Sequence, residues 1–94
     1  MKILFVCTGN TCRSSMAEAV LKAQGGFEVR SAGVAADEGN KASPHAVRAV
    51  AAHGLDMSQH RASMINEAVV EWADLILTMT RRHKVVVLEQ FPHA

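Results

Sequence analysis

An α/β fold, a parallel sheet with flanking helices, is the fold class this chain predicts, and three observations carry it. Short apolar segments rich in β-branched and aromatic residues, Ile3-Leu4-Phe5-Val6 and Leu75-Ile76-Leu77, precede polar residues, as strands buried on both faces do. Between them lie stretches with helical spacing and clear start and stop residues. The strand–helix–strand order over residues 2–30 makes a βαβ unit, which is right-handed almost without exception.

Taken in order, Lys2 to Val6 reads as the first strand. Ser15-Met16-Ala17-Glu18 fits a capping box, with Ser15 at the N-cap and Glu18 reaching back to it. Ala17, Val20, Leu21 and Lys22-Ala23 then recur at helical spacing until Gly25-Gly26 stops the helix. Phe27 to Arg30 reads as the second strand, and Val34 to Ala42 as a polar loop containing Asp37, Glu38, Gly39 and Asn40. Ser43-Pro44 predicts a helix start, with Ala46, Val47, Val50 and Ala51 as its apolar face and Gly54 as its end. Ser63 is expected to cap a short helix through Trp72, and Asp74 to Thr78 reads as the third strand. In the last segment, Val85-Val86-Val87-Leu88 favours strand by propensity. Thr80 as N-cap, followed by Lys84, Leu88 and Phe91 at steps of three to four, favours the helix adopted here. With no repeat, linker or low-complexity tract, residues 1–94 read as a single domain.

Composition narrows the partners. At 49% hydrophobic the chain is globular, and a net charge of +1 supplies no field to draw in nucleic acid. No apolar run is long enough to span a membrane, and the segment before the first polar loop is too short for a signal peptide. Nucleic-acid and membrane partners are therefore not expected; a cytoplasmic location with reduced cysteines is.

Both cysteines fall in Val6-Cys7-Thr8-Gly9-Asn10-Thr11-Cys12-Arg13-Ser14-Ser15, at the carboxyl end of the first strand and the start of a helix. Ligands of parallel sheets bind at that end. Gly9 and Asn10 tolerate left-handed backbone, so Thr8 to Ser14 can curl into a nest of N–H groups aided by the helix dipole. Arg13 offers a planar fork for two phosphate oxygens. The thiolate is the nucleophilic form of cysteine, and helix N-termini and arginine favour it. Cys7 is thus placed to attack phosphorus and form a phosphocysteine, with the loop amides and Arg13 holding the transition-state oxygens. The plainer alternative, a core thiol at a strand end, leaves five polar neighbours unexplained. His53, Asp56 and His60 are spaced too loosely to suggest a metal site, and no cofactor is expected. His45, His83 and His93 read as solvated. Arg81-Arg82-His83 opposes the helix dipole and reads as a solvated face or a lure for acidic phosphoprotein surfaces.

At these residues the chain resembles the low-molecular-weight protein tyrosine phosphatase family. The match includes CTGNTCRSS (7–15), RSAG (30–33), SPHAV (43–47), the glycine and histidine of HGLDMSQHRAS (53–63) and ADLILTM (73–79), and so covers essentially the whole chain. The resemblance implies a Rossmann-like sheet, Cys7 as nucleophile and Arg13 as phosphate clamp. It implies that Asn10 holds the strained loop, that Ser14 hydrogen-bonds the cysteine, and that Ser31 and His60 partner the Asn–Ser network. Where the family usually has proline after Arg-Ser, this chain has Ser15. Cys12 resembles a second thiol that can form a reversible disulfide with Cys7 and spare it from overoxidation; simple packing is the alternative.

Two departures bear on substrate. Thr11 replaces the bulky aliphatic residue of many tyrosine-specific members and resembles the protein arginine phosphatase branch; a plain loop hydroxyl is the alternative. The loop from Val34 to Asn40 offers no aromatic ring to stack on a phenol, with Asp37 near that place. Phosphoarginine in proteins is therefore the expected substrate, ahead of phosphotyrosine. The family's general acid, an Asp-Pro pair late in the chain, is not among these residues, which look like the first two thirds of a family member, without its last strand, acid loop and final helix. The expectation is an impaired enzyme, or, in a different class, a phosphate-binding module without turnover. Arsenate reduction would need further cysteines, and residues 78–94 contain none. A bare third-strand edge invites dimerisation or strand exchange.

Overall fold

The computed structural model describes all residues, Met1–Ala94. The elements run β1 (Lys2–Cys7), α1 (Arg13–Gln24), β2 (Glu28–Gly33), α2 (Pro44–Ala51), α3 (Glu67–Trp72), β3 (Leu75–Thr78) and α4 (Arg81–Gln90). The strands form one parallel sheet in the order β2-β1-β3, the α/β arrangement expected. β1 is central: Leu4 pairs with Arg30 on one side and Ile76 on the other, and Cys7 stands opposite Gly33. Asp74 fastens the start of the sheet, its Oδ2 accepting from the Lys2 amide at 2.8 Å, and the Met79 amide donates to Val6 O at 2.9 Å at the far end.

The core has two parts. Leu4 and Val6, both fully buried, pack with Ala32, Ile65, Val70 and Val87, which brings α3 and α4 onto the sheet. Ala42, Ala46, Val50 and Met57 form a second cluster, joined by Cys12, Met16 and Ala19, so that α2 braces the start of α1. The chain also adds a short parallel bridge beyond β2: the Gly33 amide donates to Ser63 O, and the Ile65 amide to Gly33 O, each at 2.9 Å.

Caps explain several boundaries. Ser43 accepts from the Ala46 amide and Thr80 from the His83 amide, as predicted. Gly25, at φ 77°, ends α1. The capping box at Ser15 is not formed. α1 begins three residues earlier, at Arg13 with Cys12 at the N-cap, Ser15 Oγ donates to Cys12 O, and Glu18 is engaged by Ser31 and Lys22 instead. The inward face of α1 also differs, because Ser14 and Ser15 are buried while Val20 is 45% exposed. α3 starts at Glu67 under the Asn66 cap, since Ser63 is used in the bridge to β2. In α4 the buried pair is His83 and Val87, one turn apart, while Lys84 and Leu88 face solvent. β2 reaches three residues further than Arg30 because the whole of Ser31–Gly33 pairs with Phe5–Cys7. β3 occupies an edge, with Leu75 and Leu77 exposed.

Leu4 sits at the centre of the sheet with no exposure, so Leu4→Ala removes packing on the larger core cluster. Urea unfolding is expected to show a loss of about 2–5 kcal/mol, a large share of the stability of a domain this small.

Candidate active site

Because β1 is central and parallel, the segment after it emerges at the carboxyl end of the sheet, between two neighbouring strands. The turn from Thr8 to Cys12 is shaped by Asn10, the one non-glycine residue with positive φ, at 56°. Asn10 is fully buried, and each of its polar groups is used. Its Oδ1 accepts from the Ser63 amide at 2.9 Å, which fixes the side chain's orientation because that amide can only donate. Its Nδ2 therefore faces Ser14 and donates to the hydroxyl at 2.9 Å. Its carbonyl accepts from His60 Nε2 at 2.7 Å. Its own amide points to Cys7 Sγ at 3.3 Å.

Cys7 is 4% exposed, and its sulfur has two polar partners. Ser14 Oγ lies 2.8 Å from it. Since Ser14 already accepts from Asn10, its hydroxyl proton is free to point at the sulfur. The amides of Gly9, Thr11, Cys12, Arg13 and Ser14 find no acceptor within the protein. A helix start leaves such donors orphaned, and Cys12 supplies no side-chain cap. The Arg13 guanidinium is exposed and has no carboxylate partner; the sole ion pair in the chain joins Lys22 and Glu18. One thiol, a run of unpaired amides and an unpaired arginine thus share one turn, an arrangement that holds a tetrahedral oxyanion.

Other predicted residues fall as follows. The Thr11 carbonyl accepts from the Ser43 amide at 2.8 Å, tying the loop to the start of α2. Cys12 is half buried against the α2 cluster. Ser31 lies outside the Asn10–Ser14 network: it donates to Glu18, because β2 register points its side chain at α1. His83, expected to be solvated, is 3% exposed, with Nε2 at 2.9 Å from Thr8 Oγ1 and Nδ1 unpartnered. Burial, then the charges of Arg13 and Arg82, hold its pKa below the ordinary histidine range. Asp56, fully exposed, is lowered by hydrogen bonds from Ser58. His45 and His93 are exposed as expected.

Two contributors to the site are not identifiable as such from side-chain pattern, although Ser63 is expected as a helix cap. Ser63 acts through its backbone, which no side-chain pattern betrays. Gly33 acts through what it lacks: a Cβ there would lie 2.3 Å from Thr8 O and 3.0 Å from the Asn10 amide. A cleft of about 670 Å³ lies behind the loop, lined by Glu18, Lys22, Arg30, Asp56 and Arg61 among others. It includes neither Cys7 nor Arg13, and its mixed charge gives it no claim on the chemistry of the loop.

Residues 2–94 match the family described as low molecular weight phosphotyrosine protein phosphatase. The chain belongs to this family. Similar relatives include a protein-arginine-phosphatase of Geobacillus stearothermophilus, 48% identical over 99% of this chain and 64% of its own length. A probable low molecular weight protein-tyrosine-phosphatase of Ralstonia solanacearum is 46% identical over 96% of this chain and 63% of its own. Among solved structures, the YwlE arginine phosphatase C7S mutant with phosphorylated active site serine superposes with TM-score 0.93 at 45% identity, over 98% of this chain and 63% of that one. The chain thus spans less than two thirds of the length of these family members.

Gly33→Ala is expected to push the loop outward while leaving the sheet folded. A misplacement of this kind costs on the order of 10²-fold in alignment-dependent chemistry. The amide spectrum should show shifts confined to residues near Thr8 and Asn10, with weakened orthovanadate binding; an unchanged loop and affinity would contradict the close-approach argument.

Proposed function

We propose that this chain is a cysteine-dependent protein phosphatase domain that removes phosphate from phosphoarginine in proteins through a phosphocysteine intermediate. The observation that carries it is the Cys7 sulfur, held by Ser14 and the Asn10 amide under a turn of unpaired amides. The thiolate attacks phosphorus, the P–N bond breaks and its electron pair stays on the guanidino nitrogen, which takes a proton. Water then hydrolyses the phosphocysteine, releasing inorganic phosphate and the thiolate. The amides of the loop and the Arg13 guanidinium offset the negative charge on the phosphoryl oxygens throughout. The phosphorylated serine at the active site of the related arginine phosphatase mutant supports covalent transfer to this position.

Thr11 and the loop from Val34 to Asn40 support phosphoarginine over phosphotyrosine. Thr11 is pinned by its carbonyl at the edge of the cradle, and the exposed Asp37 and Glu38 supply charge where a phenol would want a ring. Cys12 serves as redox guard: peroxide oxidises Cys7 to the sulfenic acid, and the Cys12 thiol displaces water to close a disulfide. Ser31 supports the site only at a distance, through Glu18 of α1. The free thiols suit a reducing, cytoplasmic setting; no helix is long and apolar enough to cross a membrane.

Among residues 1–94 no carboxylate hydrogen-bonds to the loop. Phosphate release from phosphoarginine and phosphotyrosine peptides is expected to favour the former, with none from Cys7→Ser. Equal rates would remove the specificity, and activity in the serine variant the mechanism. An acid-stable phosphoenzyme separates catalysis from a phosphate-binding module.

The free edge of β3, with Leu75 at 40% and Leu77 at 38% exposure, favours pairing with a second copy of this chain. Light scattering should show a dimer that a Leu77→Lys substitution dissolves; a monomer at all concentrations would refute the pairing.

A further inference from the structure

We propose that His83 is a positioning residue for the oxyanion loop: from the first turn of α4 its imidazole holds the Thr8 hydroxyl and so sets where the loop leaves β1. The inference rests on the cradle reading of Thr8 to Ser14. Thr8 directly follows Cys7, and its hydroxyl lies 2.9 Å from His83 Nε2, across 75 residues of sequence. The other side of the same residue is fixed too, because Thr8 O accepts from the Ala35 amide at 2.9 Å. Thr8 is thereby held from two directions at the point where strand becomes loop.

His83 is itself immobilised. Its amide donates to Thr80 Oγ1, the N-cap of α4, and the residue as a whole is 3% exposed. A side chain wanted only for packing would be apolar there. The imidazole instead leaves Nδ1 buried without a partner, a penalty that an aliphatic residue avoids. What the imidazole supplies and an aliphatic residue cannot is the bond to Thr8.

The charged groups facing it sharpen the arrangement. Arg13, at the start of α1, and Arg82, its neighbour on α4, both oppose protonation of the ring, as does burial. Neutral His83 therefore sits beside Arg13 without competing for an anion. A dianion bound in the loop would offset the Arg13 charge and shift the His83 titration upward.

The test uses inorganic phosphate as probe and three variants: His83→Leu, His83→Gln, whose amide can occupy the place of Nε2, and Thr8→Val. Phosphate affinity is read by titration, and the His83 ring by nuclear magnetic resonance. His83→Leu and Thr8→Val should each weaken phosphate binding about tenfold, with no further loss when combined. His83→Gln should return to within about threefold of the wild type. The His83 titration should move up when phosphate binds. Wild-type affinity in His83→Leu, or a glutamine variant as weak as the leucine one, would overturn the proposal. If His83→Leu fails to fold, Thr8→Val decides alone, because it removes only the hydroxyl of a residue that is otherwise exposed; wild-type affinity there overturns the proposal equally. A wild-type chain that binds no phosphate overturns the cradle itself, and this role with it.

Discussion

The left-handed backbone at Asn10 is the constraint on which the loop depends. A non-glycine residue in that conformation sits roughly 1–2 kcal/mol above its ordinary state. The protein offsets this with hydrogen bonds to Ser14, Ser63 and His60, each contributing on the order of 1 kcal/mol. Glycine would take the same backbone shape more easily but would lose both side-chain bonds. Asparagine is the residue that turns the chain and, with the same side chain, orients the serine that orients the sulfur.

That arrangement needs a sheet that brings distant segments to one place. Gly33 lets the end of β2 pass directly beneath Thr8, and the bridge from Gly33 to residues 63–65 delivers the Ser63 amide to Asn10. The start of α2 anchors Thr11 through the Ser43 amide, while α4 reaches Thr8 through His83. Four segments from across the chain thus grip a turn of a few residues. The unpaired amides stay in place because the groups around them are already satisfied.

Much of this was legible in the sequence. Cys7 and Arg13 stand at a strand–helix junction, and the residues that read as caps, Ser43 and Thr80, act locally and did cap. The failures share a cause. Ser15 and Glu18 have capping-box spacing, but burial of the one and the pull of Ser31 on the other came from tertiary packing. Ser63 looked like a cap because its hydroxyl suits one, yet its amide and carbonyl were taken by Asn10 and Gly33. His83 looked solvated beside two arginines, since nothing local announces a partner near the other end of the chain. Helical period was right for α4 but its phase was not: Val87 was chosen by the core and His83 by the loop.

Titration of the isotopically labelled chain with orthovanadate, followed through its backbone amides, tests the central claim most directly. The account predicts that the amides of Gly9, Thr11, Cys12, Arg13 and Ser14 shift together along one saturable isotherm, while those of the β1 interior stay still. Response limited to scattered surface residues, or loop amides that move independently of one another, would contradict it.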